Sequence, residues 1–328
     1  MLVSARMPAD STVHDLSVVH HAGSTLIACV DERGGVWTWS LSTGEWLARP
    51  LPYAHAGDPV VAAFPDAENT IDMVVALSVD GKLLLAAGGD EQEPALWDLG
   101  AGELLWRTPL NGAYLADVIA LDGALVTAQQ YSEEVRLWSP DGTDTVLGEV
   151  AELSCLGGAR VGDRRLILAG GSGAEVWDAA TLTNIAAFDP DEGQVWAVTA
   201  CATAERTAVV AATEKGELYA WDLGAGPDEL LYEPVAASQG PLETMAVMTV
   251  DGRPRVVTAG QDSLRLWDTA EGFEAGHVLT RGYDVTAMES AVVDGRRALV
   301  TSGRDGVLRI WDESDLTARQ SGGGSGRS

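Results

Sequence analysis

The chain has 328 residues, 46% of them apolar and 6% aromatic, which is enough for a large core and far from the composition of a disordered segment. Its formal charge of −28 comes from 49 acidic against 21 basic residues, and only Lys82 and Lys215 are lysines. A field of that sign repels phosphate backbones and anionic headgroups, so nucleic-acid and membrane partners are excluded and a basic protein or peptide is favoured.

From the N-terminus, residues 1–15 (MLVSARMPADSTVHD) lack the charged and apolar regions of a secretory leader, and nowhere do 18 apolar residues run together. A cytoplasmic protein is the expectation. The chain then alternates short apolar strands with Gly- or Asp-containing turns to its end. Trp39, Trp97, Trp138, Trp177, Trp221, Trp267 and Trp311 each close one of these strands, with Ser or Asp following. The gaps between them are 58, 41, 39, 44, 46 and 44 residues, the length of one four-stranded blade. The expected fold is all-β: a seven-bladed β-propeller of four-stranded antiparallel blades, a single domain over residues 1–320. Residues 321–328 (SGGGSGRS) read as a flexible linker or cloning scar.

Within a blade, Asp-Gly pairs mark the hairpin between the first two strands. Gly81, Gly123, Gly252 and Gly295 precede their blade's Trp by 16, 15, 15 and 16 residues. The residue before each Trp is mostly apolar and the one before that is often charged, so the two lie on opposite faces and the indole fills the space between blades. The last repeat runs out before an outer strand is complete. Residues 2–8 are therefore expected to supply that strand and close the ring.

The Trp-Asp and Trp-Ser pairs, with segments such as TSGRDGVLRIWD, resemble the WD-repeat β-propeller family over about residues 1 to 318. The resemblance implies a ring whose turns present a binding surface. It departs from the family where Gly-His should stand ahead of the first strand: Gly193-Gln194, Gly240-Pro241 and Gly282-Tyr283 occupy those places. The family's His-Ser/Thr-Asp-Trp hydrogen-bond tetrad is therefore expected to be incomplete, although Asp262 and Asp305 keep its acidic member. Arginine in place of lysine, with abundant Ala and Gly, resembles the usage of a GC-rich bacterium.

No catalytic or cofactor motif is present: H-E-x-x-H, G-x-S-x-G and G-x-x-x-x-G-K-[ST] are all missing. His20-His21 at a strand end point to opposite faces, and residues 189–193 lack the spaced oxygens of a calcium loop. Cys29, Cys155 and Cys201 sit in apolar runs as buried thiols. Neither catalytic nor metal nor cofactor residues are expected. In a chain this acidic, paired carboxylates single out nothing.

Partner-binding candidates come from the loops. The second gap is long because of residues 52–70, which contain Tyr53, His55 and Asp58. The turns between second and third strands carry Tyr131, Lys215, Gln261 and Arg304, and Tyr283 precedes the last blade. Their diversity suits a protein rim, hence a non-catalytic interaction scaffold. An enzyme or small-ligand binder using the central channel, and a sensory module of a larger bacterial signalling protein, are the alternatives. Oligomeric state and the identity of the partner lie beyond the sequence.

Overall fold

The computed structural model describes residues 3–8, 11–51, 71–89, 92–108, 115–202, 206–226, 229–238, 240–242, 244–260, 263–269, 272–273, 277–281 and 284–317. Among these residues, twenty-eight strands make seven four-stranded antiparallel sheets. Blade 1 is β2 (Val13–His21), β3 (Ser24–Asp31), β4 (Val36–Ser40) and β5 (Trp46–Ala48), preceded in the chain by β1 (Val3–Arg6). Blade 2 is β6 (Met73–Val79), β7 (Lys82–Gly89), β8 (Gln92–Asp98) and β9 (Glu103–Arg107). Blade 3 is β10 (Leu115–Leu121), β11 (Ala124–Gln129), β12 (Glu134–Trp138) and β13 (Asp144–Glu149). Blade 4 is β14 (Cys155–Val161), β15 (Arg164–Gly170), β16 (Ala174–Asp178) and β17 (Thr183–Phe188). Blade 5 is β18 (Val195–Ala202), β19 (Thr207–Thr213), β20 (Glu217–Asp222) and the short β21 (Val235–Ala236). Blade 6 is β22 (Thr244–Val250), β23 (Arg253–Gly260), β24 (Ser263–Asp268) and β25 (His277–Arg281). Blade 7 is β26 (Val285–Val293), β27 (Arg296–Gly303) and β28 (Val307–Asp312), followed by the helix α1 (Glu313–Thr317).

The fourth strand of blade 7 is β1, paired antiparallel to β28 in the register Val3 with Ile310, Ser4 with Arg309, Ala5 with Leu308 and Arg6 with Val307. Closure by the N-terminal segment is as the sequence predicts. The first strands contact one another in cyclic order, β26 against β2 included, so the ring is complete.

The hairpins are built as the Asp-Gly signal requires. Asp80-Gly81, Asp122-Gly123, Asp251-Gly252 and Asp294-Gly295 all have positive φ at both residues, for example 49° and 76° in the first. That is the primed turn whose twist matches the flanking strands. Blade 1 makes the same turn with Ala22-Gly23, at 49° and 78°.

The core is divided among the interfaces between blades. The described residues form seven clusters of buried apolar side chains, each drawn from two adjacent blades and each containing one of the seven register tryptophans. Trp97, for instance, packs with Val19, Ala28 and Val30 of blade 1 and Leu85 of its own blade. None of the seven is more than 6% exposed. Burial of that many large side chains at each interface, at about 25 cal/mol per Å² of apolar area, is what makes the ring cohere.

The indole N–H groups are satisfied unevenly. Trp138, Trp267 and Trp311 donate Nε1–H to Thr127, Thr258 and Thr301 Oγ1 at 2.9, 2.9 and 3.0 Å. These threonines stand two residues beyond the one paired with the Trp, which gives blades 3, 6 and 7 the same Trp–Thr link. In blade 1 the equivalent residue is Cys29, and Trp39 Nε1 is buried without a partner among the described residues.

The four tryptophans outside the register are half-buried. Trp106 stacks on Trp138 with ring centroids 5.2 Å apart, and Trp46 tilts against Trp39 at 6.4 Å. Trp37 donates Nε1–H to Asp31 at 3.0 Å, and Trp196 reaches Gln194. All three cysteines are buried and free.

Candidate functional site

Two places on this ring hold side chains that packing alone does not require: the face formed by the turns between second and third strands, and the axial cavity.

On the turn face, Tyr131, Lys215 and Arg304 occupy the turns of blades 3, 5 and 7. Tyr131 is 70% exposed. Lys215 and Arg304 form ion pairs within their own blades. Lys215 Nζ lies 2.7 Å from Glu192 Oε2, and this bond holds the Glu192 carboxyl below its ordinary range while raising the lysine. Arg304 Nε lies 2.8 Å from Asp284 Oδ2. Both pairs tie the loop before the first strand to the turn before the third. Tyr53, His55, Asp58, Gln261 and Tyr283 lie outside the described residues, as does the long loop of blade 2. Among the described residues, therefore, the sequence candidates are spread around the rim on alternate blades.

The axial cavity has a volume of about 810 Å³, and all seven first strands line it. A first strand is a sheet edge: its outer N–H groups face the axis and need acceptors. Side chains pointing toward the following blade meet that need. Asp15 accepts from Leu16 N at 2.7 Å and from Val74 N of blade 2 at 2.9 Å. Asp117 does the same with Val118 N and Leu156 N of blade 4, both at 2.7 Å. Glu289 Oε2 accepts from Val18 N of blade 1 at 2.7 Å, and Ser17 Oγ from Ala76 N of blade 2 at 3.1 Å. Thr286 Oγ1 donates to the Val13 carbonyl.

Three half-buried carboxylates thus line one axial cavity. Desolvation raises Asp15 to about 7, helped by the charge of Asp117 and resisted by its two backbone hydrogen bonds. Burial likewise raises Asp117 to about 6, and Glu289 to about 8 with a contribution from Asp15. Burial pushes the Cys155 thiol far above its usual value, so it is no nucleophile.

Asp15, Asp117 and Glu289 were indistinguishable from the other acids by composition. The available signal is local: each sits inside an apolar first strand, VHDLSVVHH, LADVIAL and VTAMESAVV, where an unpaired acid is rare.

No three His, Cys, Asp or Glu side chains among the described residues converge closely enough for a metal ion. Nor is any described helix long and apolar enough to cross a membrane. Compared with known proteins, the chain matches no family model and no curated sequence. The architecture defines its class as a seven-bladed β-propeller.

Proposed function

We propose that this protein is a non-catalytic interaction scaffold of the WD-repeat kind, docking a protein or peptide on the turn face, and that it works in the cytoplasm. The observation carrying this reading is the exposed Tyr131 on a closed, interface-packed ring. A rigid platform loses little entropy on binding, and an exposed aromatic ring on it is the kind of side chain that anchors interfaces. The Trp–Thr bonds of blades 3, 6 and 7 support the WD-repeat assignment, since the family's tetrad contains that link. With a net charge of −28, a basic partner gains from steering that salt screens over roughly 8 Å at physiological ionic strength.

The test compares partners retained by the immobilised chain and by Tyr131→Ala, at low and high salt. A partner lost from the variant, and weakened by salt with the wild type, is expected. Identical retention by both proteins dismisses the turn face as the docking surface.

A further inference from the structure

The backbone donors along the axis do not explain why charged acceptors stand there. At Ala76 N a serine hydroxyl does the same work. Asp15, Asp117 and Glu289 spend desolvation free energy to hold carboxylates where neutral oxygens suffice, and Asp15 raises the cost by repelling the other two.

A second observation points the same way. Thr199 on β18 pairs with Val210 as Ser17 on β2 pairs with Ala28, so the two occupy the same height in their blades. Thr199 lines the cavity and is 7% exposed, and its hydroxyl makes no side-chain hydrogen bond among the described residues. Its hydroxyl is an unused acceptor level with Glu289, which pairs with Val300 at that height in blade 7. Asp15 and Asp117 stand two residues nearer the turn face, about 7 Å along the axis at ~3.3 Å per residue. Arg160 lines the cavity three residues beyond the Glu289 level, about 10 Å further toward the hairpins, and bounds the acidic part.

The space is much larger than a metal ion needs and the acids are dispersed along it. We propose that the axial cavity binds a small organic dication, a short alkyl diamine being the simplest, with one ammonium between Asp15 and Asp117 and the other between Glu289 and the Thr199 hydroxyl. The first ammonium donates to Asp15 and Asp117, which also accept backbone N–H, and the second to Glu289, which does the same, and to the Thr199 hydroxyl. The ligand replaces the repulsion of Asp15 toward Asp117 and Glu289 with attraction. This site is inside the ring and stands or falls independently of docking on the turns.

Of the titratable groups lining the cavity, β2 supplies Asp15, β10 Asp117, β14 Cys155 and Arg160, β18 Cys201 and β26 Glu289, while β6 and β22 supply none. Binding therefore requires loss of protons from the acids and tightens as pH rises.

Calorimetric titration of the full chain with putrescine in 0.15 M NaCl tests this. Expected are one saturable site, affinity at least tenfold higher at pH 8.5 than at pH 5.5, a loss of about tenfold in Glu289→Gln and several-fold in Thr199→Val, and weaker binding of butylamine. Should Glu289→Gln not fold, Thr199→Val decides. No saturable binding at pH 8.5, many weak sites abolished by 0.3 M NaCl, equal binding of butylamine, or unchanged affinity in the folded variants overturns the proposal.

Discussion

The seven tryptophans are equivalent in sequence position and differ in what their indole N–H groups meet. Thr301 stands where Trp311 needs an acceptor, whereas Cys29 stands there for Trp39, whose Nε1 is orphaned. A buried donor without a partner costs about 1–3 kcal/mol. Thr301→Val should therefore destabilise the protein by about that amount in denaturant unfolding. At position 29 the usual order reverses: Cys29→Thr should exceed Cys29→Val in stability by about 1 kcal/mol, because only threonine supplies the missing oxygen. Valine proving the better residue there would remove the orphaned N–H from the account.

At the scale of the element, the first strand of each blade carries the distinctive physics. It is an edge buried on the ring axis, so its free N–H groups must be met across the gap to the next blade. Gly157 shows how close that gap is in blade 4, where a Cβ would stand 2.3 Å from the Val198 carbonyl oxygen of blade 5. Asp15, Asp117 and Glu289 meet the same need with groups whose folded pKa values lie at about 7, 6 and 8, above the ordinary carboxylate range. An acid with a raised folded pKa binds its proton more tightly in the native state. Its contribution is complete below about pH 4 and is lost as pH rises through 6 to 8. Acids at the ends of third strands such as Asp98 and Asp178, lowered mainly by backbone hydrogen bonds, act in the opposite sense and lose their contribution as pH falls below the ordinary carboxylate range. Thermal unfolding should thus show a higher midpoint at pH 5.5 than at pH 8.5, with a smaller difference in Glu289→Gln. A midpoint that rises over this window contradicts the burial of these acids.

Over the whole molecule, what could be read from the sequence is what repeats. The spacing of Trp39 through Trp311 and the constant distance from Asp-Gly to Trp are consequences of blade geometry copied seven times, so they appear as a period. Closure was legible for a related reason: the last repeat lacks a strand and residues 2–8 have nowhere else to pair. The axial acids break the repeat, since Asp15 and Asp117 have Met73, Cys155, Ala197, Thr244 and Ala287 as their counterparts in the other blades. A feature present in two or three blades leaves no period, and in a chain with 49 acidic residues it leaves no compositional mark either. Lys215 and Arg304 lie on turns, and their pairing with Glu192 and Asp284 depends on loops brought beside those turns by the fold.

That the two ends of the chain meet in one sheet is the claim on which ring, cavity and rim all rest. Disulfide trapping in the double variants Ser4→Cys/Arg309→Cys and Arg6→Cys/Arg309→Cys tests it most directly, since the native cysteines are buried. Ser4 and Arg309 are paired residues, whose Cα atoms in an antiparallel sheet lie about 4.5–5.5 Å apart, within disulfide reach. Arg6 lies on the same face but diagonally, about 7–8 Å away. The first variant should oxidise to a monomeric cross-linked form with a raised melting midpoint, and the second should stay reduced. Failure of the first to cross-link, or equal cross-linking of both, contradicts a ring closed by β1 on β28.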